Sequence, residues 1–362
     1  APAFGTDWQI GKTNSIVWSA GGAGDRVNIY YSTNAGVSWI GIDDNYPNIS
    51  GMNSYQWIIP PYPSSIARIK VESVLDPLNL WGSSSNFNIA GVRMVLPGGG
   101  EKWDKDVGNL VRWAHQSAGS TCTLEFSYDG GLTWVNIVGP GLGLTDLTYP
   151  FTPRVPTVRG MAKITADDPS PFTNMFDVSD NYMTVAGITV TTPTNISVYT
   201  LGTTNFINWI SAGSEDPLGQ GSLYYSGSPS ETNLIAVVGN NQAFPGNNTY
   251  SWRVAASVTP SLNARVIVRS GAYEGMSEFF VLRGIKITSP NSGSILNIGE
   301  NTSIVWKDAG LAVDANADFY LSIDGGATFS PTPINPFPYP VNGGAYPWTV
   351  ATDTQPSTNA VV

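Results

Sequence analysis

Apolar and polar residues alternate at every second position through much of this chain. In VNIYYS, Val27, Ile29 and Tyr31 fall on one side and Asn28 and Tyr30 on the other. Cys122, Leu124 and Phe126 repeat the pattern, as do Ala317, Phe319 and Leu321. A period of two belongs to a strand with one face buried in an antiparallel sheet. Further strands are predicted in ARIKV, AKITA and ARVIV. No stretch of useful length carries the 3.6-residue period of a helix.

The strands recur on a fixed beat. NSIVW, NLVRW, NFINW and TSIVW end on Trp18, Trp113, Trp209 and Trp306, at separations of 95, 96 and 97 residues. Pro97, Pro193 and Pro290 keep the same interval, each shortly after FNIAG, MTVAG or FVLRG. Tyr55-Gln-Trp57, Tyr149-Pro-Phe151, Tyr250-Ser-Trp252 and Tyr346-Pro-Trp348 recur between them. Self-similarity at a fixed period marks an array of units. About seven short strands in roughly 95 residues, parted by turn residues, describe an immunoglobulin-like sandwich. The expected fold is therefore all-β: four tandem immunoglobulin-like β-sandwich domains, the first and last incomplete. Their expected limits are 1–90, 91–187, 188–284 and 285–362. The four Trp residues are expected to be anchors between the sheets.

The expected incompleteness comes from the alignment of units. Setting Trp18 on Trp113 places Ala1 opposite Leu96, so the first unit lacks the strand that GVRMVL supplies to the second. Residues 359–362 align within a strand of the third unit, leaving the fourth short of its end. Either a longer chain continues the array or strands are exchanged with a neighbouring subunit.

Three units carry a hairpin of shared spacing: STNAGVSW (32–39), SYDGGLTW (127–134) and SIDGGATF (322–329). The third has YSGSPSETNLI in that place. Asp129 and Asp324 are expected to accept hydrogen bonds from nearby backbone N–H groups, with Gly supplying the positive φ. The closing aromatic is expected to plug the hairpin into the core. The spacing is that of the Asp box of sialidase propellers, but no arginine cluster gathers among Arg26 to Arg283. Propeller blades also run nearer 40 to 50 residues. The motif is read as a folding device.

ITSPNSGSILNIGENTSIVW, then LSIDGGATF, then AYPWTV, resembles the Ig-like domain of fungal cell-wall assembly proteins of the Kre/Knh type. Related tandem repeats of large secreted prokaryotic surface proteins share the pattern. The resemblance implies an extracellular, cell-surface location, an Ig-like fold and a wall, surface-layer or matrix setting. It implies no catalytic residues, because the shared positions are turns and core.

Composition sharpens this picture. Charged residues make up 12% of the chain, about half the usual share. With 39 Gly, 26 Pro and 12 Trp it is turn-rich and has ample core material. A net charge of −10 and no basic run argue against nucleic acid. No apolar run approaches the ~20 residues of a membrane-spanning helix. The single cysteine, Cys122, permits no intrachain disulfide and is expected to be a buried, inert thiol. His115, the only histidine, lacks co-ligands for zinc, and no nucleophile elbow accompanies it. The chain is thus expected not to be an enzyme.

Asp314, Asn316 and Asp318 have the spacing of oxygen ligands and are the candidate Ca²⁺ site. Phe319 and Gly325 at the sixth and twelfth positions exclude an EF-hand. Asp167 and Asp168 are a second candidate, bridging domains. No other cofactor is expected. Sequons at Asn48, Asn195, Asn247 and Asn301 permit glycosylation. The function expected is structural: a segment of a surface-layer, filament or adhesin-stalk protein whose partners are neighbouring copies or further repeats. The alternative is a carbohydrate-binding accessory module of a wall-active or polysaccharide-degrading protein, with Tyr30, Trp81 and Trp103 stacking on surface polysaccharide.

Overall fold

A computed structural model describes residues 1–213, 221–228, 231–238 and 246–362. The chain forms two compact units, Ala1–Ala186 and Gly187–Val362, each holding two hydrophobic cores. It is all-β, built of tandem Ig-like sandwiches. The two helical turns among the described residues, Leu144–Asp146 and Val341–Gly343, are far too short to cross a membrane.

The first unit opens with β1 (Asp7–Gln9), β2 (Thr13–Ala20), β3 (Arg26–Ser32), β4 (Ile40–Pro47) and β5 (Gly51–Ile58). It continues through β6 (Ser64–Ser73), β7 (Trp81–Ser83) and β8 (Phe87–Leu96). Next come β9 (Lys102–Asp104), β10 (Asn109–Gln116), β11 (Thr121–Ser127) and β12 (Val135–Gly143). β13 (Thr148–Phe151), β14 (Thr157–Ala166), β15 (Phe176–Val178) and β16 (Met183–Thr192) follow, the last reaching past residue 186. The β-branched and aromatic residues of these runs suit a pleated, half-buried surface.

β8 serves two sandwiches. Its first half lies parallel to β1, with Trp8 opposite Ile89, and antiparallel to β6. Its second half lies antiparallel to β10, with Val92 opposite His115 and Met94 opposite Trp113. Phe87 and Ile89 belong to the first core; Ala90, Val92 and Met94 belong to the second. Odd positions thus feed one core and even positions the other, because successive side chains leave a strand on opposite faces. Gly91 sits at the changeover, where a Cβ would lie 2.5 Å from Ile10 Cδ1.

The second unit repeats the scheme with β17 (Val198–Thr200), β18 (Thr204–Ala212), β19 (Gly221–Ser228) and β20 (Glu231–Val238). β21 (Gly246–Arg253), β22 (Ser261–Ser270), β23 (Tyr273–Met276) and β24 (Phe280–Ser289) complete its first sandwich. β24 pairs with β17 and β22 through its first half and with β25 (Asn301–Ala309) through its second. β26 (Asn316–Ala317), β27 (Tyr339–Pro340) and β28 (Ala345–Thr349) follow. Phe319 is buried as its alternation requires, but regular pairing on that run stops at Ala317. Pro229 and Ser230 of the third hairpin lie outside the described residues.

One sheet differs between sandwiches. β10 lies between residues 91–96 and β13; β18 lies between residues 187–192 and β21; β25 lies between residues 284–289 and β28. In the first sandwich the corresponding sheet holds β2 and β5 alone.

Candidate functional site

The three hairpins are tied by one repeated set of bonds. A buried serine, Ser32, Ser127 or Ser322, donates its Oγ–H to Oδ1 of the residue two places on, at 2.8, 2.7 and 2.7 Å. That residue is Asn34, Asp129 or Asp324. Its Oδ1 accepts the backbone N–H four residues later, each at 2.9 Å, from Ser38, Thr133 and Thr328. The same serine Oγ accepts the N–H of Gly36, Gly131 or Gly326, glycines held at φ of 88° to 89°. Asp129 and Asp324 also accept the hydroxyls of Thr133 and Thr328. Donors arriving from those threonines, and from the serine, hold both carboxyls down at about 2. The hydrogen-bond donors these carboxylates meet are local, so they fix a turn.

The closing aromatics do not plug into the core as expected. Trp39 and Trp134 are half-buried on the outer side, where Lys70 and Lys163 approach their rings at 5.3 and 4.7 Å. Phe329 is 52% exposed. Each lysine also pairs with a carboxylate, Lys70 with Glu72 and Lys163 with Glu125. A cation over an indole face explains the placement: the ring is covered from outside by a lysine stem, a contact that spacing alone does not reveal.

The four repeated Trp residues part company. Trp113, Trp209 and Trp306 are 3%, 1% and 3% exposed, whereas Trp18 is only half-buried. Trp113 and Trp306 donate Nε1–H to the carbonyls of Leu144 and Val341; Trp18 donates to Asn48 Oδ1 at 3.0 Å. A second aromatic repeat stands ten residues before the Trp landmark in each of the first three units. Trp8, Trp103 and Tyr199, each 7% exposed, lie beside the parallel-paired part of the closing strand. The counterpart of Trp103 is Tyr199, at the interval of 96 residues that separates Trp113 from Trp209. Burial of Trp103 removes it as a sugar-stacking residue. Trp81 is 58% exposed, and Tyr30 is half-buried with Lys70 over its ring.

Asp318 Oδ1 accepts from Asn335, and Asn316 donates its amide to the Asp314 carbonyl. Among the described residues no three acidic, His or Cys side chains converge as a metal site. Asp168 accepts from the Ser120 N–H and hydroxyl, and Asp167 from the Thr123 hydroxyl and Gly141 N–H. All of these partners belong to the second sandwich, so both carboxylates close its own loops rather than bridge domains. Cys122 is fully buried, and desolvation pushes its thiol up to about 12, well away from reactivity. Burial lowers the His115 pKa, and its buried Nδ1 has no hydrogen-bond partner. Of the sequons, Asn195, Asn247 and Asn301 are exposed. Asn48 is 6% exposed, with its amide bonded to the Gly24 carbonyl and to Trp18, and so is closed to glycosylation.

A cleft of about 420 Å³ lies beside β2. Ile16, Val17, Trp18, Val27, Ile69 and Val71 line its floor and walls, with β7 on the far side. At one end Val17 exchanges hydrogen bonds with Ala1, at 2.8 and 3.3 Å. Hydrogen-bonding directions alternate along an antiparallel strand, so Ser19 is the next residue of β2 to face away from β5 and into the cleft.

No protein-family model matches the sequence, and no curated protein matches it. Among solved structures it is similar to fibronectin(III)-like modules of Clostridium thermocellum CbhA, at 14% identity over 52% of this chain and 94% of that one, TM-score 0.19. It is similar to the ICAM-5 D1–D4 ectodomain fragment at 10% identity over 97% and 90% of the two chains, TM-score 0.21. The N-terminal four Ig domains of Dscam1 isoform 6.44 match at 12% over 97% and 91%, TM-score 0.18. At such scores the fold rests on the strand pairing and cores of the chain itself.

Proposed function

We propose that this chain is a structural, extracellular repeat segment of a surface-layer, filament or stalk protein, with no catalytic role. The observation that carries this reading is the strand handed from sandwich to sandwich. β8 closes one core and opens the next without a linker, and β24 does the same, so neighbours are joined by backbone hydrogen bonds as well as covalently. The conspicuous polar constellations, the hairpin knots, are spent on turns. The four units are proposed to lie at the limits expected from the repeat, and the resemblance to Kre/Knh-type domains supports a wall or surface setting. Antibodies against residues 1–362 should label the outside of intact source cells; label found only inside would overturn the assignment.

A second reading, binding of surface polysaccharide, is favoured by Trp81, whose exposed indole stands at the register position beside Glu72. It predicts saturable binding on a glycan array that Trp81→Ala abolishes. An array without signal removes it.

A further inference from the structure

We propose that β5 is a lateral pairing edge, joined antiparallel to β5 of a second copy of this chain so that one sheet runs through both. The inference deepens the structural reading above, on which it rests, by naming the contact between copies. Receptor and ligand are the same strand, so the contact is isologous.

In all four sandwiches the strand beyond β2, β10, β18 or β25 is the last of its sheet: β5, β13, β21 and β28. An outermost strand presents unpaired backbone groups, and folded chains blunt such edges with proline, bulges or short length. The second and fourth sandwiches do so. β13 has four residues and β28 five, with Pro150 and Pro347 inside them. The repeated aromatic triplet records the alternation, because its middle residue is Gln56, Pro150, Ser251 and Pro347 in turn. β5 and β21 each run for eight residues without proline and keep one register along β2 and β18. The edge strands β4, β12 and β20 pair instead through ladders interrupted by register shifts.

Backbone direction gives the missing proline its meaning. Ile59, next after β5, donates its N–H to the Lys12 carbonyl at 3.0 Å, so by alternation Asn53, Tyr55 and Trp57 turn toward β2. Met52, Ser54, Gln56 and Ile58 then turn their N–H and C=O groups outward, and all four side chains are exposed. Pro150 and Pro347 hold the outward position of Gln56, where a proline removes an N–H that a neighbouring strand would use. The Tyr46 hydroxyl donates to the Ser54 carbonyl at 3.2 Å, which leaves that oxygen a second lone pair.

The occupant follows from self-complementarity. A two-fold axis at Tyr55 sets Ser54 opposite Gln56 of the partner subunit and Met52 opposite Ile58 of the partner subunit. Met52 and Ile58 are each 67% exposed, so apolar meets apolar at both ends of the ladder and hydroxyl meets amide at its middle. β5 carries no charged residue in a chain of net charge −10, so two copies meet there without opposing like charges. β21 presents Asn247, Thr249, Ser251 and Arg253 in the same places and offers no apolar pair, which assigns the contact to β5. Strand addition draws affinity from main-chain hydrogen bonds and specificity from alternate side chains.

The test is sedimentation of residues 1–362 over a concentration series, with amide exchange followed at both ends of it. Dimers should form as concentration rises, and exchange at Met52, Ser54, Gln56 and Ile58 should slow by about tenfold or more. Gln56→Pro should abolish both effects, whereas Gln56→Ala, which keeps the N–H, should leave them. Ile58→Lys changes an exposed side chain, so the sandwich folds whatever the proline does, and the dimer should weaken about tenfold. A monomer at millimolar concentration would overturn the proposal. So would a dimer undiminished by Gln56→Pro or by Ile58→Lys, a dimer lost in Gln56→Ala, or protection confined to other strands. None of those outcomes alters where the protein resides on its cell, so the structural reading stands or falls separately.

Discussion

Trp18 and Trp113 hold the same place in adjacent sandwiches of one compact unit, yet one is half-buried and the other 3% exposed. Local sequence does not explain this, since NSIVW and NLVRW carry the same alternation. The difference lies in what sits alongside. Trp113 is overlaid by residues 91–96; Trp18 borders the cleft. The burial of a core residue in this fold is therefore decided by a strand that belongs, by its first half, to the preceding sandwich. A motif specifies where an aromatic points. Its energetic weight is set by a strand outside that motif.

The largest expected effect breaks that comparison directly. Trp113→Ala should destabilise the second sandwich by ~3–5 kcal/mol, the cost of emptying a large core site. Trp18→Ala should cost roughly 1–2 kcal/mol, in keeping with its partial burial. Site-resolved amide exchange in each sandwich measures both, and equal losses would show that the overlying strand adds nothing.

A smaller effect is expected where the overlying strand is pinned. Ser179 Oγ donates to the Pro97 carbonyl at 2.7 Å and accepts the Ala162 N–H at 3.0 Å, all buried. Ser179→Ala strands those groups, at about 1–3 kcal/mol. In the first sandwich Ser84 Oγ accepts the Ile69 N–H, but its own proton goes to the neighbouring Ser85 carbonyl. Ser84→Ala should therefore fall below ~1 kcal/mol. Urea denaturation monitored by exchange in each sandwich separates the pair.

The smallest effect concerns pH. Asp129 is held at about 2 in the folded chain, against an ordinary carboxyl near 3.9 when unfolded. A depressed carboxyl contributes stability above the unfolded value, and the contribution is lost as pH falls from about 4 to about 2. Asn34 makes the equivalent bonds without titrating. The 127–134 hairpin should loosen across that window by a margin that Asp129→Asn removes, while the 32–39 hairpin holds. Acid titration of the hairpin amides by NMR checks it, and parallel behaviour of the two would refute the assignment.

Much of the fold was legible because repetition tests itself. Four Trp-ended strands at a constant interval, with cores read from period-two alternation, predict sandwiches before any contact is known. The knot's Asp and Gly positions were equally plain, since turn chemistry is local. Three things were not. The serine that ties each knot looks like any other polar residue until its burial is seen. Trp39 and Trp134 looked like core, because alternation counts hydrophobicity and not the lysine stem that covers a ring on the outside. Tyr199 escaped notice although it keeps the interval of the Trp landmarks, because a tyrosine stands where the first two units have Trp; its pairing with β24 brings out the match.

The division of β8 between odd and even positions has a consequence for how such an array can change over time. Phe87 and Ile89 face one core, and Val92 and Met94 the other, through one unbroken pleat. Deleting a single residue at Ala90 or Gly91 would leave each half well formed but turn the second half over, exposing Val92 and Met94 and drawing Arg93 inward. Removal of two residues would preserve the parity and shorten only the step between sandwiches. Lineages of this chain should therefore tolerate length changes at the changeover in pairs. The join between sandwiches behaves as a reading frame written in side-chain direction, where an odd slip corrupts everything downstream in that sandwich and an even one passes.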